Sequence, residues 1–187
     1  MNREDALLLL REFTKSESLI KHALAVEAAM RAYAPRLGGD PELWGVVGLL
    51  HDFDYEQFPN PPEHTRKGAE ILRARGVDEE IVGAMLSHAE WNRDEYPLDR
   101  PLRKALAAVD ELAGFVMAVA YVRPEKLTGM APSSVRKKMK QKSFAAAVRR
   151  EDIERGAELL GVPLDEHIQV IIGALQGIDR DLGMAPA

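Results

Sequence analysis

Residues 102–121 read Leu102-Arg-Lys-Ala-Leu-Ala-Ala-Val-Asp110-Glu-Leu-Ala-Gly-Phe-Val-Met-Ala-Val-Ala-Tyr121. Apolar side chains recur here at helical spacing and cover most of the circumference, which predicts a helix enclosed by others at the centre of a bundle. Asp110 is the exception. Leu106 at i−4, Ala113 at i+3 and Met117 at i+7 put it on an apolar face, where a carboxylate is costly unless a cation compensates it. Glu111, one position round, is expected to face solvent.

The same periodicity extends in both directions, and no stretch alternates strictly enough to suggest a half-buried strand. The expected class is all-α, a compact helical bundle. Helices are expected over 3–13, from 16 or 18 to 33, and over 41–52, with Asp40 as N-cap and Pro41 in the first turn. Residues 54–62, with Pro59, Pro61 and Pro62, read as loop. Further helices are expected over 63–76, from an Asp78 cap to about residue 90, and over 102–121, 150–160 and 164–182, with short pieces between Pro124 and Pro132. The 187 residues suffice for a core without staples. One domain over 1–187 is expected, with its motif region over about 16–122 and a helical extension over 123–187.

The chain has no cysteine and five histidines. Disulfide frameworks, zinc ribbons and thiol nucleophiles are thereby excluded, and any metal must be held by imidazole and carboxylate. A net charge of −5 and a pI near 5.6 argue against general nucleic-acid binding. No uncharged stretch approaches the ~18 apolar residues of a membrane span, and Met-Asn-Arg-Glu-Asp is acidic where a secretory leader is basic. The expected partner is therefore not a membrane, and the expected compartment is the cytoplasm.

His51-Asp52 closes the apolar run Trp44-Gly-Val-Val-Gly-Leu-Leu50, so two metal-competent groups stand where a buried helix turns into a proline-rich loop. His22 aligns with Leu19, Val26 and Tyr33, and His88 with Ile81 and Met85. His64 aligns with Gly68 and Ile71 in the first turn of its helix. For each histidine alone, a core ring with one hydrogen-bond partner is the plainer reading. Taken together, one shared site with Asp110 satisfies them all. Imidazole with carboxylate suits Mn, Fe, Co, Ni or Zn, with Mg also possible, better than Ca.

The order His22, His51-Asp52, His64, His88, Asp110 resembles the six-ligand signature of the HD-domain superfamily of metal-dependent phosphohydrolases. Glu63-His-Thr-Arg-Lys-Gly-Ala-Glu-Ile-Leu72 is similar to a segment of its HD-GYP branch, although Ala89 and Tyr55 depart from that pattern. The chain looks closer to the small stand-alone bacterial HD proteins. The resemblance implies that His22, His51, Asp52 and Asp110 hold one metal ion. His64, His88 and a bridging Asp52 would hold another, with Asp52, His64 and Asp54 taking part in catalysis. Asp54 and Glu56, just beyond the ligand pair, read as orienting groups, proton-transfer groups or solvated loop acids. The implied reaction is hydrolysis of a small phosphate ester or nucleotide. Di-iron HD-domain oxygenases use a similar ligand set, and a non-catalytic metal-binding module is the third alternative.

Residues 121–150 carry nine basic side chains against the single acid Glu125. This excess could hold an anionic ligand, in which case Lys137, Lys138 and Lys142 would contact substrate phosphate, or it could be a solvated face. A homodimer through apolar parts of 164–182 is a further possibility.

Overall fold

The structure, a computed structural model, describes residues 1–185. Among the described residues the elements are helical and no strand occurs. They are α1 (Arg3–Phe13), α2 (Glu17–Tyr33), α3 (Pro41–Leu50), α4 (Glu63–Ala74), α5 (Glu79–His88), α6 (Pro101–Tyr121), α7 (Pro132–Met139), α8 (Arg150–Leu160) and α9 (Leu164–Gln176). Short 3₁₀ turns cover Ala34–Leu37 and Glu90–Asn92. Side-chain caps start several helices. Asn2 accepts from the Asp5 N–H at 2.9 Å, Asp40 from Glu42 at 2.9 Å and Asp78 from Glu80 at 2.7 Å. Each satisfies an amide that the helix cannot.

The α6 helix is the centre of the bundle. Its Leu106, Val109, Leu112, Phe115, Val116 and Val119 are buried, and it packs against α2, α5, α7, α8 and α9. The α2 and α3 helices meet closely because residue 48 is glycine: a Cβ there would stand 2.8 Å from the Glu27 backbone. One hydrophobic core runs from Ala6 in α1 to Met184 near the chain end. No helix is long and apolar enough to cross a membrane.

The last helix is shorter than its periodicity suggests. It stops at Gln176, before Gly177, and residues through 183 continue as turns; glycine is a poor helix former, and Gly173 and Gly177 fall close together. Ile168, Ile171, Ile172, Leu175 and Leu182 are buried within the chain itself. Two arginines of the basic segment are spent on holding turns. Arg123 donates to the carbonyls of Lys126 and Thr128 and to Ser134 Oγ, at 3.0 to 3.2 Å. Arg150 donates to the carbonyls of Gln141, Phe144, Ala145 and Val148.

Candidate metal centre

The six residues singled out by the sequence converge between α2, the end of α3, the start of α4, the end of α5 and the middle of α6. Asp52 is the hub. Its Oδ1 lies 3.2 Å from His64 Nε2 and 3.1 Å from His88 Nε2, and its Oδ2 lies 3.5 Å from His51 Nε2. Asp110 Oδ1 lies 3.0 Å from His22 Nε2 and 3.4 Å from His51 Nε2. Two groups therefore offer ligand atoms close enough for one ion each, namely His22, His51 and Asp52, and Asp52, His64 and His88.

The far side of each of three imidazoles fixes its tautomer. His51 Nδ1–H donates to the Gly48 carbonyl at 2.8 Å, and His88 Nδ1–H to the Met85 carbonyl at 2.6 Å. A carbonyl only accepts, so Nδ1 carries the proton and the Nε2 lone pair of each neutral ring faces the carboxylates. His64 Nδ1 lies 3.1 Å from Asp54 Oδ1. His51 Nε2 is buried and has no hydrogen-bond partner. An orphaned, deeply buried nitrogen aimed at two carboxylates fits a metal ion better than a packed core.

The electrostatics agree. Burial works against charge on the His51 ring, yet Asp52 and Asp110 outweigh it and raise its pKa to about 9. The same opposition, settled by bonds to Asp52 and Asp54, raises His64 to about 9. Burial would raise the carboxyls of Asp52 and Asp110, but the facing imidazoles hold both below the ordinary carboxylate range. The two acids thus gather positive charge around themselves, which protons supply here and cations supply equally well.

The profile of the HD domain matches residues 19–121, which include all six of these side chains. The chain belongs to the HD domain family. A similar region, 31% identical over 87 residues, occurs in the tRNA (cytidine(56)-2'-O)-methyltransferase of Thermoplasma volcanium. It covers 46% of this chain and 25% of that protein, so the chain spans about a quarter of the length of the relative it matches. No solved structure matches the chain.

In this HD domain His64 reaches the centre differently from the helical alignment expected of it. His64 and Thr65 have non-helical backbone angles, and Thr65 sits at φ 67°. A β-branched residue in the left-handed region is strained, and the surroundings hold it there. Asp54 Oδ2 accepts from the N–H groups of Thr65 and Gly68 at 2.8 and 2.9 Å, and Asn92 Nδ2 donates to Thr65 Oγ1 at 2.8 Å. Asp54 is fully buried behind His64, and both its oxygens accept hydrogen bonds. Glu56 Oε2 accepts from the N–H groups of Lys15 and Ser16, away from the centre.

A cleft of about 260 Å³ opens beside His88 and Asp110 and runs to α8. Glu111 lines it and is half-buried, contrary to the solvated position expected; burial, with Asp110 beside it, pushes its carboxyl up to about 7. Lys137, Lys138 and Lys142 are not among its lining residues. Lys138 instead lies 4.7 Å from the Phe144 ring centre. Arg93, Arg149 and Arg155 do line the cleft; Arg149 belongs to the basic segment 121–150, whereas nothing in the sequence marked Arg93 or Arg155.

Proposed function

We propose that this HD domain is a metal-dependent phosphohydrolase that cleaves a small phosphate ester or nucleotide with water as the nucleophile. The observation that carries this reading is the convergence of four imidazole Nε2 atoms on the carboxylates of Asp52 and Asp110, with His51 Nε2 left without a protein partner. His22, His51, Asp52 and Asp110 would hold one divalent ion, and Asp52, His64 and His88 a second. Such ions, when bound, supply a water of lowered pKa and positive charge for the phosphoryl oxygens. The protein keeps the ring nitrogens in the ligating tautomer through Gly48, Met85 and Asp54. The hard nitrogen and oxygen donor set fits Mn, Fe, Co, Ni or Zn, with Mg also compatible.

The test is metal-stripped protein reloaded with each of these ions in turn and assayed on a panel of phosphate esters and nucleotides. Metal-dependent release of phosphate or nucleoside is expected, and Asp52→Ala or His51→Ala is expected to abolish it. Absence of turnover with every ion, in protein that binds metal, would overturn the reading.

A further inference from the structure

The cleft beside the candidate metal centre is lined by His88 and Asp110 of that centre, by Arg149 at the N-cap of α8 and by Arg155 within α8. Its walls combine apolar Trp91, Leu98, Ala107 and Leu159 with the acids Glu90, Glu111 and Asp152. Arg149, Asp152, Arg155 and Leu159 recur at three- and four-residue spacing, so α8 presents one face to the cleft.

The arginines around the cleft are not equivalent. Arg93 braces the end of α5, donating to the carbonyls of Ser87 and His88 at 3.3 and 3.1 Å. Arg149 and Arg155 form no side-chain hydrogen bond among the described residues and have only loose ion pairs. Arg149 lies 3.2 Å from Asp152 and 3.7 Å from Glu90, and Arg155 lies 3.5 Å and 3.9 Å from the same two acids. Their side chains are 56% and 52% exposed. These pairs engage Nε and Nη1 of Arg149 and Nη1 of Arg155, so Nη2 of each stays outside them, and a guanidinium carries five donors in a fork matched to phosphate or carboxylate oxygens.

Resting on the phosphohydrolase reading, we infer that Arg149 and Arg155 form an anion subsite that selects phosphate esters bearing a second anionic group beyond an apolar or ring-like body. The scissile phosphate lies at the metal centre, the body lies along Trp91 and Leu159, and the second group meets the α8 arginines. A phosphate and a carboxylate present the same oxygen chemistry at that end.

Three substrates with one common body test this: phenyl phosphate, 4-carboxyphenyl phosphate and 1,4-phenylene bisphosphate. Metal-loaded wild type is compared with Arg149→Gln, Arg155→Gln and the double variant. Because each ratio is taken between variant and wild type on the same compound, intrinsic leaving-group differences cancel. The double variant is expected to lower kcat/KM for the two compounds with a second anion at least tenfold more than for phenyl phosphate, mainly through KM. Lysine at both positions is expected to restore part of the difference. The relative losses on the carboxylate and the bisphosphate tell which second group the subsite prefers.

A second readout is independent of turnover. Trp91 lines the cleft and is 41% exposed, whereas Trp44 is 3% exposed. Quenching of tryptophan fluorescence by the same compounds, with Trp91→Phe as blank, reports binding. The double variant is expected to weaken binding of the two-anion compounds about tenfold relative to phenyl phosphate. Equal effects on all three compounds, in both measurements, would overturn the subsite. Absence of turnover in wild type would sink the hydrolysis reading alone, since the quenching still decides the subsite.

Discussion

At the scale of single residues, Asp54 supports the candidate metal centre from behind His64. It accepts from His64 Nδ1 and from the Thr65 and Gly68 amides, so it sets the ring orientation and steadies a strained backbone together. Partners behind a metal ligand typically contribute 10–100-fold to metal affinity. Asp54→Asn is therefore expected to keep the fold but weaken the ion held by Asp52, His64 and His88 by about that factor, leaving the ion on His22, His51 and Asp110 in place. Equilibrium dialysis with elemental analysis should show content falling from two ions toward one at limiting metal. Unchanged content and affinity would remove Asp54 from this role. Gly68→Ala should act in the same direction, because its Cβ would stand 2.8 Å from Asp54 Oδ2.

At the scale of elements, the centre depends on how tightly α2 and α3 approach. Gly48 sits one turn before His51 and supplies the carbonyl that fixes its tautomer, while lacking the Cβ that would strike the Glu27 backbone. Gly48→Ala must push α3 away from α2, and with it His51 from His22, whose ring centres are 5.2 Å apart. Overpacking of this kind costs about 2 kcal/mol. Urea denaturation should show that loss together with weaker metal binding; full stability with full affinity would mean that the helices yield freely. The bundle itself was readable from the sequence because apolar periodicity is a local signal, and Asp110 stood out as a carboxylate on an apolar helical face. His64 was placed in the cluster by an incomplete route. Helical spacing aligned it with Gly68, whereas contacts from Asp54 and Asn92 hold His64 and Thr65 out of helical geometry. Such contacts join residues far apart in the chain, and periodicity carries no trace of them. The same holds for Glu111, whose neighbours across the cleft include Arg149 and Asp152, and for Arg155, which lies outside both the matched HD region and the basic segment 121–150.

At the scale of the whole molecule, the helices after residue 121 complete the core around α6 and form the far wall of the cleft. His167 is a joint between these parts. Its Nε2–H donates to the Ala108 carbonyl of α6 at 3.0 Å, and its Nδ1 accepts from the Tyr33 hydroxyl of α2 at 2.6 Å. Burial lowers its pKa from the model-peptide value of 6.5 to about 4. The unfolded chain therefore binds a proton between these two values that the folded chain refuses. Stability from this residue is fully present above pH 6.5 and is lost as the pH falls through 4, a change of roughly 3 kcal/mol. Among the other shifted groups, Glu111 titrates inside that window and gains stability as the pH falls through about 7, but it is common to wild type and the His167→Gln variant and drops out of their difference. His51 and His64 are raised, so their contributions are complete below 6.5, and Asp52 and Asp110 lose theirs only below 3.8. Urea titrations of metal-free protein from pH 7 to 4 should accordingly show a steeper acid loss for wild type than for His167→Gln, by roughly 3 kcal/mol over the range. Glutamine keeps a donor for Ala108 and an acceptor for Tyr33 but takes up no proton. Parallel slopes for the two proteins would mean that His167 is not the group through which acid loosens α9 from the core.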